Sequence, residues 1–258
     1  MILAVDVGNT HIVVGCLDRE KIYCISRLET STTKTVDEYA IALKNTLEFN
    51  GIDYKTITGA IVSSVVPPLF KVIKSTIKKL IGSEPLIVGS GIKTGMNIAI
   101  DNPAQLGGDL VACGVAAIEK YPLPAIIFDM GTASTISVID EKGNYLGGAI
   151  FPGVAISLDA LSKSTSQLPR VSIMAPKKCI STNTNDCIQS GAVFGTASMM
   201  DGMIDRIEEE LGMTATVVAT GGLSKSVVSY CKHKIIYDEN LLLKGLGVIY
   251  YKQLKMSK

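Results

Sequence analysis

The chain has 258 residues, of which 47% are hydrophobic, and its 25 basic and 24 acidic side chains leave a formal net charge of +1 at pH 7. This length supports one large domain or two half-sized domains, each able to bury its own core. The charges are interspersed, which argues against nucleic-acid and membrane-surface partners. Because the sequence has neither a bilayer-length apolar run nor the features of a signal peptide, we expect a cytoplasmic protein.

The six cysteines are scattered without a CxxC pair, and the chain has two histidines. This pattern lacks the ligand spacing of a zinc site. We therefore expect reduced thiols that fill small apolar spaces in a cytosolic protein. Cys16 and Cys24 flank a predicted hairpin turn, so a disulfide between them is possible but not favoured.

The first predicted elements are two or three antiparallel strands within residues 5–28, with a turn at 18–21. Thr35 and Glu38 then have the spacing of a capping box, which predicts the start of a helix. An apolar stripe with helical periodicity follows, and Asn50-Gly51 is a typical helix end.

A buried strand is predicted at 60–66 and a short one at 86–88, with a helix between them that ends at Gly82. A turn at 101–103 precedes a further helix, which begins in a glycine-rich segment and runs through Ala117. The first half of the chain thus combines strands and helices.

The proline-containing segment 121–124 is the best candidate linker, so we predict an N-terminal half at 1–120 and a C-terminal half at 121–258. The second half repeats the scheme of strands followed by helices. Its predicted elements are strands up to about residue 150, a helix after Pro152-Gly153, a long helical region at 186–211, a strand at 217–219 and a last helix at 241–254.

Each half contains an apolar strand followed by Asp-x-Gly, a small polar residue and a second strand, beginning at Asp6 and at Asp129. Glycine lets the backbone turn and brings N–H groups close to an anion, and the aspartate can hold a metal ion or its water. One copy alone is better explained as an ordinary hairpin. Two copies favour a nucleotide triphosphate site in an α/β fold, at the carboxyl ends of the strands.

The motifs Asp6-x-Gly8-Asn9-Thr10 and Asp129-x-Gly131-Thr132 resemble those of the actin-like ATPase superfamily. Further segments resemble, in order and over nearly the whole chain, the type III pantothenate kinases. These segments are Asp101-Asn102-Pro103, Leu106-Gly107-Gly108-Asp109, Gly147-Gly148-Ala149-Ile150-x-Pro152-Gly153, Asn183-Thr184 with Gln189-Ser190-Gly191, and Thr220-Gly221-Gly222-Leu223. The resemblance implies an α/β fold of two related actin-like (ribonuclease H-like) halves around a nucleotide cleft.

The resemblance also implies the reaction. Members of the family phosphorylate pantothenate to 4'-phosphopantothenate with ATP, the first step of coenzyme A biosynthesis, and need Mg²⁺ and a monovalent cation, usually K⁺ or NH₄⁺. They are typically dimers, so we expect a homodimer, with a heterodimer with a paralogue as the alternative. The small residues and methionines at 190–200 would let helices approach closely, although a buried intramolecular helix explains them nearly as well.

Phosphoryl transfer depends on positioning and charge neutralisation, which suits the roles that the resemblance implies. Asp6 would orient hydrated Mg²⁺, Asp129 would hold the monovalent cation, and Asp109 would be the general base. Taken alone, Asp109 is slightly better explained as a helix cap. Asp129 alone would be a turn residue or a second carboxylate beside Mg²⁺. The expected ATP- and phosphate-binding residues are Asp6, Val7, Gly8, Asn9, Thr10, His11, Ile12, Val13 and Thr132.

The expected acceptor-binding residues are Gly107, Gly108, Asp109, Leu110, Ile100 and Thr184. Thr184 resembles a pantothenate contact supplied across a dimer interface, although a plain loop threonine explains it too. The family pattern has Arg at position 110 and Tyr at position 100, and a leucine cannot replace the forked donor of an arginine. Two alternatives follow: a kinase of another small alcohol, or a non-catalytic nucleotide-binding subunit that pairs with an active paralogue. The retained Asp109 argues against the second.

Overall fold

The computed structural model describes residues 1–89 and 91–256. Contacts between residues group the chain into two compact units. The first unit comprises Met1–Met96, Asp101–Ala116 and Leu241–Lys258, and the second comprises Asn97–Ile100 and Ala117–Asn240. No helix among the described residues is both long enough and apolar enough to cross a bilayer.

The first unit is built on one mixed sheet with the strand order β3-β2-β1-β4-β5. Its strands are β1 (Ile2–Val7), β2 (His11–Leu17), β3 (Ile22–Glu29), β4 (Ala60–Ser64) and β5 (Leu86–Ile87). Its helices are α1 (Val36–Phe49), α2 (Pro67–Ile81), the larger part of α3 (Gly108–Lys120), and α8 (Leu241–Met256), with 3₁₀ turns at Tyr54–Thr56 and Pro103–Gln105. The central strand β1 is antiparallel to β2 and parallel to β4.

The two faces of this sheet are covered by different helices. Leu3, Val5 and Val7 lie in one hydrophobic core with the buried faces of α1 and α2. Because side chains alternate along a strand, Ala4 and Asp6 point to the opposite face, where α8 packs on β1 and β4.

The predicted start of α1 and the predicted end of α2 are confirmed. Thr35 and Glu38 form both hydrogen bonds of a capping box at the start of α1. Gly82 ends α2 with a φ of 75°, a left-handed conformation that glycine adopts without steric cost. Cys16 and Cys24 are directly opposed on β2 and β3, and neither forms a disulfide with any described residue.

The second unit contains a sheet with the order β11-β10-β7-β8-β9-β6. Its strands are β6 (Asn97–Ile98), β7 (Ala125–Met130), β8 (Ala133–Ile139), β9 (Asn144–Pro152), β10 (Thr216–Thr220) and β11 (Ile235–Tyr237). Its helices are α4 (Val154–Ser164), α5 (Thr184–Ser190), α6 (Thr196–Leu211) and α7 (Ser224–Val228), and a π-helical turn at Gly191–Gly195 joins α5 to α6.

The two sheets repeat the same arrangement around β1 and β7. Each strand is antiparallel to the strand that follows it and parallel to a later one, which is β4 for β1 and β10 for β7. Asp6 and Asp129 occupy the same fifth position, half-buried between buried neighbours. The predicted α/β fold of two related halves is therefore confirmed.

The compact units differ from the sequence halves 1–120 and 121–258 at three places, the first of which is Asn97–Ile100, a segment of the second unit. The chain passes between units inside α3, after Ala116, and α8 belongs to the first unit. Gly245 explains how α8 packs there, because a Cβ atom at this position would lie 1.9 Å from the Ala112 carbonyl oxygen of α3. Helical periodicity identifies the apolar face of α8, but it does not identify the sheet that this face covers.

Replacing Gly245 by Ala should destabilise the protein by about 1–3 kcal/mol, because the new methyl group overlaps the α3 backbone. Gly202→Ala in α6 is a matched control, since its Cβ would meet no described atom within 4 Å. The control should gain about 0.5–1 kcal/mol from helix propensity. Urea unfolding of both variants checks this, and equal stabilities would contradict the close packing of α8 on α3.

Candidate active site

The candidate site of the first unit lies at the carboxyl ends of its parallel strands. β1, β4 and β5 run in the same direction and end at Val7, Ser64 and Ile87. The segments that follow these strands therefore begin at one edge of the sheet, which is where ligands bind in open α/β sheets.

The turn between β1 and β2 consists of Gly8, Asn9 and Thr10. The Gly8 N–H donates to the His11 carbonyl at 3.1 Å. Thr30 also holds the turn: its hydroxyl donates to the Gly8 carbonyl at 2.7 Å, and its N–H donates to the Thr10 carbonyl at 3.1 Å. Asn9 and Thr10 are exposed at this turn, whose shape the Thr30 hydrogen bonds hold. No sequence pattern pointed to Thr30, which directly follows β3.

The remaining predicted phosphate-binding residues of this hairpin differ in exposure. Val7 and Ile12 are buried in the core, so only their backbone groups remain to contact a ligand. Val13 is half-buried, and His11 is exposed at the start of β2. Asp6 on β1 is half-buried and lies in register with Ser63 on the neighbouring strand β4.

The start of α3 packs directly on this sheet edge. A Cβ atom at Gly108 would lie 3.1 Å from the Ser63 hydroxyl oxygen and 3.2 Å from the Val88 carbonyl oxygen. Glycine at this position therefore lets the helix approach the ends of β4 and β5. This contact explains physically why a glycine-rich segment precedes Asp109.

Asp109 lies in the first turn of α3 and is half-buried. Its carboxylate accepts a hydrogen bond from the Leu110 N–H at 2.9 Å. Desolvation raises the pKa of this carboxyl above its ordinary value, against the lowering effect of the backbone N–H groups of residues 109 and 110. Asp109 thus interacts with the helix start, as a cap does, and its burial raises the pKa of the carboxyl above that of an exposed aspartate, which strengthens it as a proton acceptor.

The turn between β7 and β8 in the second unit is one residue shorter. Its Gly131 N–H donates to the Ala133 carbonyl at 3.2 Å, and Thr132 is exposed at its tip. Two glycines from later motifs pack against this hairpin. At Gly153, a Cβ atom would lie 2.4 Å from the carbonyl oxygens of residues 131 and 132. At Gly221, whose φ is +91°, a Cβ atom would lie 2.6 Å from the Met130 carbonyl oxygen.

Asp129 ends the apolar part of β7, in register with Thr220 on β10 and Thr135 on β8. It is half-buried, as Asp6 is in the first unit. Asp6 and Asp129 both offer carboxylate oxygens, the ligand type that Mg²⁺ and alkali cations prefer. The residues therefore fit the implied cations, although their roles as ligands stay predictions.

The predicted acceptor residues of the second unit lie in different places. Thr184 is exposed at the start of α5 and lines a mostly apolar cavity of 1010 Å³. Ile100 is half-buried, and a Cβ atom at Gly147 would lie 3.9 Å from one of its methyl groups. Gln189 and Ser190 donate hydrogen bonds to carbonyl groups of the preceding loop at 3.2 and 2.6 Å, so they hold that loop against α5.

Comparison with known proteins gives consistent relatives. A family model described as type III pantothenate kinase matches residues 2–206. A type III pantothenate kinase from Moorella thermoacetica is 42% identical over 250 residues, which cover 97% of this chain and 98% of that protein. One from Halalkalibacterium halodurans is 43% identical over 252 residues, covering 98% and 99%.

Solved structures support the fold at lower identity. A conserved putative Baf family transcriptional activator from Campylobacter jejuni has a TM-score of 0.61 at 20% identity, covering 98% of this chain and 100% of that one. The ADPNP-bound activator of 2-hydroxyisocaproyl-CoA dehydratase from Clostridium difficile has a TM-score of 0.59 at 14% identity, covering 99% and 96%. The family model and the near-complete coverage at over 40% identity show that the chain belongs to the type III pantothenate kinase family.

Proposed function

We propose that this chain transfers the γ-phosphoryl group of ATP to the hydroxyl of pantothenate, forming 4'-phosphopantothenate, the first step of coenzyme A biosynthesis. Family membership over nearly the whole chain supports this reaction. The observation that carries it is Asp109, a half-buried carboxylate with a raised pKa at the same sheet edge as the Gly8 turn.

The nucleotide side of the reaction rests on the Asp-x-Gly turns. Asn9 and Thr10 would donate hydrogen bonds to phosphate oxygens from a turn that Thr30 already holds in shape. Thr132 would contribute in the same way from the β7–β8 turn. Phosphoryl transfer needs such fixed donors more than covalent help, because the transition state spreads charge over the phosphate oxygens.

Asp6 would hold Mg²⁺ through a water molecule, and Asp129 would hold a monovalent cation, K⁺ or NH₄⁺. Mg²⁺ usually keeps several waters and binds one or two carboxylates plus substrate phosphates, which suits a single strand-end aspartate. When bound, Mg²⁺ neutralises charge on the transferring phosphoryl group.

Asp109 would accept the proton of the acceptor hydroxyl on a carboxylate oxygen. Burial makes the ionised form less stable in the folded chain, so the carboxylate gains more from taking up a proton than an exposed aspartate does. The same burial shields this oxygen from bulk water. Both effects favour a general base over a simple cap.

The predicted acceptor-binding residues support a second candidate function. Leu110, half-buried directly after Asp109, offers no hydrogen-bond donor from its side chain, whereas the family pattern has Arg there. A pocket rebuilt around Leu110 and Ile100 would suit a more apolar alcohol. A non-catalytic subunit that pairs with an active paralogue is the remaining alternative.

We also propose a homodimer that forms through the second unit. Gly191, Gly195 and Ser198 are exposed on one face of the helical segment that lines the apolar cavity. Large hydrophobic side chains are also exposed elsewhere in the second unit: Leu146, Ile150, Ile156, Leu161, Met174 and Ile180. Exposed apolar side chains are frequent at protein–protein interfaces, and small residues let helices approach closely.

Asp109→Asn should abolish phosphorylation of pantothenate and leave binding of an ATP analogue unchanged. The amide cannot take up the hydroxyl proton, and loss of a general base typically costs about 10²–10⁴ in rate. A coupled assay with ATP, Mg²⁺, K⁺ and pantothenate measures the first effect, and calorimetric titration measures the second. A variant as active as the parent would identify Asp109 as a cap only.

The same variant also has a stability signature that serves as a control. Because burial raises the folded-state pKa of Asp109, ionisation costs stability as the pH rises through that pKa. The Asn variant should therefore be more stable than the parent at neutral pH, and this advantage should vanish below the pKa of about 3.9 of an unfolded aspartate. Urea unfolding at several pH values tests this.

Leu110→Arg, alone or with Ile100→Tyr, should improve the use of pantothenate, mainly through the acceptor KM. One charge-assisted hydrogen bond is worth about 1.5–3 kcal/mol, or roughly ten- to more than hundredfold in efficiency. Leu110→Met adds no donor and should change little. If the Arg variant loses activity while the Met variant keeps it, the pocket serves a more apolar alcohol, since the new cation is buried without a partner.

Ile150→Lys combined with Ile180→Lys should convert the dimer to a monomer, because two charges would have to be desolvated in the interface. These side chains are 76% and 87% exposed, so the fold of the subunit should tolerate both changes. Phe49→Lys in α1, where the parent side chain is 93% exposed, is the matched control and should remain a dimer. Light scattering at micromolar protein checks this, and a monomeric parent would refute the proposed dimer.

A further inference from the structure

Ser63 on β4 is a buried polar residue that the roles above do not use. Its side chain is 0% exposed, and its hydroxyl oxygen has no hydrogen-bond partner among the described residues. A buried hydroxyl without a partner costs about 1–3 kcal/mol. An alanine would avoid this cost, so the serine needs an explanation.

Other buried serines show what a satisfied hydroxyl looks like in this chain. Ser137 shares a hydrogen bond of 3.0 Å with the Tyr145 hydroxyl, and the hydroxyl of Ser190 donates to the Cys179 carbonyl at 2.6 Å. The hydroxyl of Ser134 on β8, like that of Ser63, has no hydrogen-bond partner among the described residues. Both unpartnered serines therefore lie beside an Asp-x-Gly hairpin.

The position of Ser63 relates it to two parts of the candidate site. It is in register with Asp6 on the parallel neighbour β1, so both side chains point to the same face of the sheet. This face is opposite to the core that contains Val62. Gly108, one residue before Asp109, packs against the Ser63 hydroxyl. A Cβ atom at Gly108 would lie 3.1 Å from the Ser63 hydroxyl oxygen.

We propose that Ser63 is a positioning residue whose hydroxyl binds a water molecule of the hydrated Mg²⁺ that Asp6 orients. The inference rests on the proposed function. Neighbouring strands lie about 4.8 Å apart, a separation that one water molecule can bridge with two hydrogen bonds. A carboxylate beside the hydroxyl favours the waters of a cation over a phosphate oxygen, and a fully buried hydroxyl is reached more readily by water than by a nucleotide.

Glycine at position 108 is consistent with this role. A Cβ atom there would lie 3.1 Å from the Ser63 hydroxyl oxygen and occupy space next to it. A bound water needs two to four polar partners, and the Ser63 hydroxyl and the Asp6 carboxylate supply two. Ser63 would thus fix the orientation of a water in the cation's hydration shell without touching the reacting atoms.

The test is Ser63→Ala, which removes the hydroxyl and adds no bulk. Binding of a non-hydrolysable ATP analogue is measured by calorimetry with Mg²⁺ and, in EDTA, without it. The variant should bind the magnesium complex about tenfold more weakly, equivalent to about 1.4 kcal/mol, and the metal-free analogue as the parent does. Its stability to urea without ligand should be equal to or higher than that of the parent.

Ser64→Ala is the matched control, because the Ser64 hydroxyl accepts a hydrogen bond from the Val66 N–H at 3.3 Å. This variant should lose stability and keep the parent's dependence on Mg²⁺. The proposal is overturned if Ser63→Ala behaves in the same way, or if it weakens both forms of the analogue equally. A parent that binds no analogue at all would overturn the proposed function together with this inference.

Discussion

Close packing of backbone segments at glycine positions is the constraint on which the candidate sites of both units depend. The absence of a Cβ atom at Gly108 lets α3 pack tightly on the ends of β4 and β5, and this contact places Asp109 at the sheet edge. In the second unit, Gly153 and Gly221 approach the β7–β8 hairpin closer than any side chain allows. A methyl group at these positions would press on the backbone that carries the candidate phosphate donors or the candidate base, and a displacement of about 1 Å can cost about 10² in rate.

Asp109 shows how the candidate site and the stability of the fold oppose each other. The burial that raises the pKa of this carboxyl also makes its ionised form unfavourable in the folded chain at neutral pH. Ser63 adds a second unfavourable group, a buried hydroxyl without a hydrogen-bond partner among the described residues. It lies against Gly108, the residue before Asp109. Stored costs of this kind are typical of functional sites, where the structure tolerates a local penalty in exchange for chemistry.

The features predicted correctly from the sequence are those set by local patterns. The capping box of Thr35, the glycine stop at Gly82 and the repeated strand–Asp-x-Gly pattern each depend on a few neighbouring residues, and each was found as expected. The affiliation of α8 and the role of Thr30 depend on contacts between distant segments. Periodicity shows that a face is apolar and composition shows that a hydroxyl is present, but neither identifies the partner across the fold.

The same distinction explains why the nucleotide side is easier to predict than the acceptor side. Phosphates bind largely to backbone N–H groups, so a phosphate site leaves glycines and tight turns in the sequence, and the turns at Gly8 and Gly131 are the candidates here. An alcohol acceptor is recognised by side chains that project from a scaffold shared by the whole family. A single change such as Leu110 can then alter the acceptor while every backbone feature stays in place. The position next to Asp109 is therefore where members of one fold family are expected to differ in substrate.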